Sequence, residues 1–174
     1  MPRGQAAPSI RAAGPEDAED IEHLRVAGWQ AAYRGILPDA YLDGMRVDVG
    51  RRRTQMTGRP ATVVESVAVQ AGAIVGWVVG GHTRDAFRAS PGQGEIYACY
   101  VQPEWWGRGV GRLLMTHAVT ALAGAGLDDV TLWVLEDNRR ARRFYEACGF
   151  QPDGTRQLLD IGGPIPELRY QLTR

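Results

Sequence analysis

Apolar residues recur along this chain with more than one period, and each change of period marks an element. Residues 9–12 are short and apolar enough for a first strand. Gly14-Pro15-Glu16-Asp17 puts a proline and acids where a helix begins, and Ile21, Leu24, Gly28 and Ala31 follow at helical spacing. Pro38 and several glycines break the pattern over 35–58, which predicts one shorter helix among loops. Residues 62–70 and 73–80 are rich in Val, Ile and Trp and flank Ala71-Gly72, a hairpin signal. A polar loop over 82–94, with Pro91-Gly92, leads to a strand at 95–101. From Val110, apolar residues at 113, 114, 118, 121 and 122 predict a helix that ends near Gly124 and Gly126. Residues 130–135 are apolar throughout, as in a strand covered on both faces. A last helix runs through Ala141, Phe144, Tyr145 and Cys148 to Gly149, and strands follow near 156–159 and 167–172.

Strand 95–101, helix 110–124 and strand 130–135 form a βαβ unit, so the two strands should run parallel with a right-handed crossover. Hairpins before and after make the sheet mixed. The expected class is α/β (α+β), with a central sheet of about six to seven strands and about four flanking helices. One domain, 1–174, without internal repeats, accounts for the whole pattern.

Composition narrows the chemistry. Acids and bases cancel at 20 each, which gives no reason to expect nucleic acid or an anionic membrane surface as partner. No apolar run approaches the length of about 20 residues that a membrane-spanning helix needs. Residues 1–13 lack the apolar core of a secretory signal, so a cytoplasmic location is expected. Every basic residue is arginine, which removes the P-loop lysine and the Schiff-base lysine. Cys99 and Cys148 stand far apart, outside any CxxC, and read as free thiols rather than a disulfide or zinc site. His23, His82 and His117 form no HExxH, and no serine sits in GxSxG, so no metal and no hydrolase chemistry are expected. Glu16, Asp17, Glu19, Asp20 and Glu22 read as a solvated helix face, with attraction of a cationic amine as the alternative.

The stretch richest in chemistry is Trp106-Gly107-Arg108-Gly109-Val110-Gly111-Arg112, between the strand and helix of the βαβ unit. Its glycines allow turn conformations closed to other residues, and its amides open a helix, which suits a phosphate or pyrophosphate. Arg108 and Arg112 can add charge-assisted contacts to the same anion. The residues alone leave open a plain glycine-rich turn. A dinucleotide loop also stays open, although its third glycine is replaced by Leu114 and about 90 residues precede the unit.

The run Glu95-Ile96-Tyr97-Ala98-Cys99-Tyr100-Val101 through Leu114 resembles the acetyl-CoA motif of the GNAT family of N-acetyltransferases. Asn138, Ala141, Phe144-Tyr145-Glu146 and Gly149-Phe150 resemble its second signature, and Ile10-Arg11-Ala12 with Pro15-Glu16-Asp17-Ala18 resembles the opening of many members. One departure is Trp106, where the family's loop usually begins with Gln or Arg. The resemblance implies a GNAT-like sheet with a splayed parallel strand pair, acetyl-CoA as cosubstrate, and direct acetyl transfer to a primary amine in a ternary complex.

It further implies roles. The backbone of Gly107, Arg108, Gly109, Val110, Gly111 and Arg112 would hold the pyrophosphate, and the strand edge at Cys99, Tyr100 and Val101 would pair with the pantetheine arm. The Val101 amide would serve as oxyanion donor. Asn138 would contact the cofactor arm, and Tyr145 would also line it while protonating the departing thiolate. Glu95 stands where histone-modifying members carry their base, and alternation puts it on one strand face with Tyr97 and Cys99. Other members draw the base from the next strand, where this chain has Trp133. Trp29 and Tyr33, with Tyr41 nearby, are candidates for the acceptor pocket, or for core packing. The acceptor is expected to be a small-molecule amine; a peptide N-terminus, a protein lysine or a non-catalytic acyl-CoA sensor are alternatives. The C-terminal strands and the Gly162-Gly163-Pro164 loop leave room for a homodimer.

Overall fold

The computed structural model describes residues 7–84 and 92–173. The middle of the loop read over 82–94, Pro91 included, lies outside the described residues. The chain runs β1 (Ser9–Ala12), a 3-10 turn (Pro15–Asp17), α1 (Ala18–Tyr33), α2 (Asp39–Gly44), α3 (Val49–Thr57), β2 (Val64–Gln70) and β3 (Ala73–His82). It continues with β4 (Gln93–Val101), α4 (Val110–Gly124), β5 (Asp129–Leu135), α5 (Arg139–Ala147), β6 (Phe150–Asp160) and β7 (Pro164–Leu172). The sheet order is β1-β2-β3-β4-β5-β7-β6, with β4 and β5 parallel and every other neighbour antiparallel.

Where one helix was expected over 35–58, two form. Asp48 divides them, its carboxylate accepting the Arg51 N–H at 3.0 Å to cap α3. The β2–β3 turn has positive φ at both Ala71 (49°) and Gly72 (84°), the twist a two-residue hairpin requires. One apolar core lies between the sheet and α4, including Val78, Ile96, Leu114, Leu132 and Phe150. A second lies on the opposite face against α1 and α3, around Ile21, Leu24, Met56 and Trp77. Leu37, Leu42, Leu135 and Ile161 close a third near the C-terminal strands.

Two features of β4 set the site. Its pairing with β5 covers only Gln93–Ile96 against Asp129–Leu132. Beyond that point β4 follows β3 while β5 follows β7, so the parallel pair parts. Tyr97 is also an extra residue: Val79 faces Ala98 and Gly80 faces Ile96, leaving Tyr97 bulged. Gly80 and Gly81 make room for the bulge, since a Cβ there would meet the Glu95 carbonyl at 2.8 Å and the Tyr97 hydroxyl at 2.7 Å.

The acids at the start of α1 are not all solvated. Asp17 is buried and holds Arg11, with contacts of 2.6 and 2.8 Å. Glu22 is fully buried and accepts from Arg25 and from Arg52 of α3, whose guanidinium also lies over the Trp77 ring. Burial pushes the Glu22 pKa up, but the two guanidinium groups outweigh it and the net shift is downward. Glu22 therefore fastens α1 to α3, and Glu22→Leu, which strands two half-buried arginines, should cost about 3–5 kcal/mol. Because its folded pKa is depressed, its contribution is full above the ordinary carboxylate pKa and fades as pH falls through the folded value. Urea midpoints measured from pH 7 down to pH 3 should show the gap between wild type and variant narrowing below about pH 4.

Candidate active site

The parted strands open a cavity of about 1270 Å³ that reaches from the glycine loop, through the gap, to the aromatic residues of α1. It exceeds the roughly 300–1,000 Å³ of a single small-ligand pocket, so a large cosubstrate and an acceptor both have room.

On the loop side, Gly107 (φ 74°) and Gly109 (φ 83°) are left-handed, and Gly109 caps α4. The first helical bond runs from the Leu113 N–H to the Gly109 carbonyl, so the amides of Val110, Gly111 and Arg112 have no partner inside the helix. Gly111 is glycine for another reason than turn formation: a Cβ there would meet the Phe144 ring at 3.0 Å. The Val110 side chain is core, and the Arg108 guanidinium lies over Trp105, 5.3 Å from the ring centre. Trp106 is tied down at both ends. Its indole N–H donates to the Val101 carbonyl at 2.8 Å, and the Arg140 guanidinium lies 3.5 Å from its ring centre.

The backbone of β4 can be sorted by hydrogen-bond parity. The Gln102 N–H donates to the Val75 carbonyl at 3.0 Å, so that pair is hydrogen-bonded across β3 and β4. Opposite pairs alternate in an antiparallel ladder, so Val101 opposite Gly76 and Cys99 opposite Val78 are non-bonded pairs. Their N–H and C=O groups point away from β3, into the gap. The Tyr100 backbone bonds to β3 instead, and its ring stacks on Trp77 at 5.9 Å on the α1 side. The edge expected at three residues thus consists of two.

The bulge also changes which side chains share a face. Ile96, Cys99 and Val101 pack toward α4, while Ala98 and Tyr100 pack toward α1. Glu95, adjacent to Ile96, falls on the α1 side, opposite Cys99 rather than beside it. Glu95 is buried and both oxygens are taken: Oε2 accepts the Arg84 N–H at 2.8 Å, and Oε1 accepts the Arg84 guanidinium.

At the far wall of the gap, Asn138 caps α5, its Oδ1 accepting the Ala141 N–H at 3.1 Å. Tyr145 packs against Phe144 and Phe150. Burial pushes its hydroxyl pKa far up, with Cys99, Tyr100 and Cys148 beside it, so it stays a proton-bearing donor. On the α1 side the Trp29 indole donates to the Tyr100 hydroxyl at 2.6 Å and meets the Tyr33 ring edge-on at 4.9 Å. Burial raises Tyr33 well above its ordinary pKa, with Tyr100, Tyr145 and Glu167 facing it. Glu167 was absent from the candidates drawn from the sequence. It enters because β7 inserts between β5 and β6, an order no local signal encodes.

The sequence profile described as the acetyltransferase (GNAT) family matches residues 25–150. The chain belongs to the GNAT acetyltransferase family. The fold agrees: the coenzyme A complex of PaiA N-acetyltransferase from Thermoplasma acidophilum superposes with TM-score 0.75 at 17% identity, covering 97% of this chain and 100% of that one. YncA from Salmonella typhimurium, bound to acetyl-CoA, gives 0.75 at 19% identity, covering 96% and 94%. A mycothiol acetyltransferase of Mycobacteroides abscessus is 32% identical over 79% of this chain, which spans only 43% of that protein's length. The uncharacterized N-acetyltransferase YuaI of Bacillus subtilis is 27% identical over 92% of this chain and 94% of its own. Among the described residues no group of three His, Cys, Asp or Glu could hold a metal, and no helix is long and apolar enough to cross a membrane.

The GNAT site contains one nucleophile that burial disables. The Cys99 thiol is pushed up to about 12, so at pH 8 about one molecule in ten thousand carries the thiolate there. Alkylation by iodoacetamide, followed by mass spectrometry, should therefore be slow at Cys99 and rise about tenfold per pH unit up to pH 10. A plateau near pH 8.5 would mark an ordinary thiol.

Proposed function

We propose that this enzyme moves the acetyl group of acetyl-CoA directly to a primary amine of a small molecule bound on the α1 side of the sheet. The observation that carries the reading is the gap between β4 and β5, which joins the glycine loop to an aromatic pocket and is edged by the Cys99 and Val101 backbone groups. These residues fit coenzyme A: left-handed glycines and open helix amides suit its phosphates, and an unpaired strand edge suits its amide-bearing arm. When bound, acetyl-CoA supplies the activated acyl group.

The amides of 107–112, with Arg112 beside them, hold the pyrophosphate in this reading. Cys99 offers its N–H and C=O to the arm. The Val101 N–H faces the acyl oxygen as it gains charge, and one such donor contributes about 3 kcal/mol. The Asn138 Oδ1 is spent on the cap, which leaves its Nδ2 to reach the arm. Tyr145 donates a hydrogen bond to the departing sulfur, its raised pKa keeping the proton in place until the thiolate forms. An amine arrives protonated and must lose a proton before it attacks. Glu95 takes that proton through water, loosening one of its contacts with Arg84. The protonated state of Cys99 supports direct attack over an acyl-cysteine route. Trp29 and Tyr33 wall the acceptor space, and its concave form supports a small molecule over a protein surface. Free Cys99 and Cys148 suit a reducing, cytoplasmic setting.

Calorimetric titration should give micromolar acetyl-CoA binding, and an amine screen read by free thiol should then find an acceptor. With that acceptor Tyr145→Phe should lower kcat about 100-fold while acetyl-CoA affinity stays within about twofold. Unchanged turnover in the variant would remove Tyr145 from the chemistry, and failure to bind acetyl-CoA would undo the assignment of the loop.

We also propose a homodimer through the C-terminal strands. β6 forms the outer edge of the sheet and Leu158 on it is 69% exposed, which supports a covered edge. Sedimentation velocity should show a dimer that Leu158→Glu disperses.

A further inference from the structure

Among the described residues five charged side chains line the cavity: Arg84, Glu95, Arg112, Arg140 and Glu167. Arg112 belongs to the glycine loop and Arg140 stacks on Trp106, so both stand on the cosubstrate side. Arg84 and Glu95 neutralise each other. Glu167 is left. It lies within β7, paired with Leu135 of β5 on one side and Gln157 of β6 on the other, and is half-buried. Directly paired residues share a face, which sets Glu167 beside Leu135 and two positions from Ile165, both part of the apolar cluster around Trp29 and Tyr33.

A half-buried carboxylate among apolar neighbours ordinarily has a cation at hand. Glu167 has none among the described residues. Its one hydrogen bond comes from the Gln157 amide, at 2.8 Å to Oε2, and Oε1 makes none. Gln157 holds the carboxylate without cancelling its charge. Trp29, Tyr33 and Trp133 supply aromatic faces to the same space, and such faces attract cations. The acceptor side therefore carries one uncompensated negative charge inside an aromatic wall. A ligand with a carboxylate next to its amine would meet repulsion there, whereas a cation on an apolar body meets attraction at the carboxylate and at the aromatic rings around it.

We infer that Glu167 is the acceptor-binding residue that selects a positively charged amine on an aromatic or aliphatic body, lacking a carboxylate beside the nitrogen. The inference rests on the proposed transfer to an amine for its catalytic meaning, but binding tests it without turnover. The coenzyme A-loaded protein would be titrated calorimetrically with 2-phenylethylamine, tryptamine and hexylamine, and with the alcohols of the same bodies. The wild type should favour at least one amine over its alcohol by tenfold or more, and Glu167→Gln should bring that preference below about threefold. Phenylalanine should bind more weakly than 2-phenylethylamine to the wild type. Unchanged coenzyme A affinity and circular dichroism would show that the variant is folded, and Glu167→Asp should restore part of the preference.

Where an amine turns over, Glu167→Gln should raise its KM tenfold or more and leave kcat within about threefold. Charge preference without turnover of any amine would keep the Glu167 site and sink the transfer reading. No preference in the wild type, a preference that survives in the glutamine variant, or a loss confined to kcat would each overturn the inference.

Discussion

Two parallel strands that stop pairing in mid-sheet are the constraint on which the molecule turns. Backbone N–H and C=O groups withdrawn from water need partners, and parting β4 from β5 strips partners from both strands. The fold limits the loss by keeping each strand bonded on its outer side, β4 to β3 as far as Gln102 and β5 to β7 as far as Leu135. Only the inward groups are orphaned. The Val101 carbonyl recovers a donor in the Trp106 indole, and what remains at Cys99 and at the Val101 N–H is an open strand edge, where the proposed reading puts the amide-bearing arm. The cavity is thus the consequence of a specific failure of pairing, and the loop, the α5 cap and the acceptor wall are all placed by reference to it.

Among the described residues the fully buried acids follow one electrostatic rule. Because every cation is arginine, each buried acid can be met by a planar fork: Asp17 by Arg11, Glu22 by Arg25 and Arg52, Glu65 by Arg59, Glu95 by Arg84. Three tyrosines of the cavity, Tyr33, Tyr100 and Tyr145, are raised by burial, so they keep their protons at neutral pH and do not act as bases. Proton acceptance is left to carboxylates, among them Glu167 on the proposed acceptor side. A site of neutral donors with one free negative charge suits a cationic reactant that must surrender a proton and receive an acyl group.

Much of this was legible in the sequence, for reasons that are local. The Ala71-Gly72 turn, the apolar run that became β5 and the helical spacing of α4 each act over a few residues, and each appears where its pattern put it. The glycine loop was legible because left-handed φ values at 107 and 109 have a residue-level signature. The face of Glu95 was misread because alternation was carried straight through Tyr97. The bulge is a relation between β3 and β4, and its one local trace was Gly80-Gly81 in an otherwise β-branched run. Asp17 and Glu22 were misread as solvated because the arginines that bury them come from β1 and α3 as well as from α1. Glu167 could not be reached at all, since its neighbours depend on which strand β7 joins.

Trp106 shows how a departure from a family pattern is absorbed. In the proposed reading only the backbone of this loop faces an anion, so the side chain at its first position is free to serve the fold. An indole there has one N–H and two broad faces. The N–H goes to the last carbonyl of the parted β4 edge, and one face receives Arg140 from the first turn of α5. A glutamine could donate to the same carbonyl but would offer Arg140 no ring, and an arginine would repel it. The tryptophan therefore joins three elements that the gap would otherwise separate: the end of β4, the loop, and the helix that carries Tyr145. Burial of Arg140 lowers its proton affinity. The position of the proposed donor Tyr145 relative to the Val101 amide is thus fixed through an aromatic bridge, and the departure at this one residue belongs to the geometry of the site rather than standing outside it.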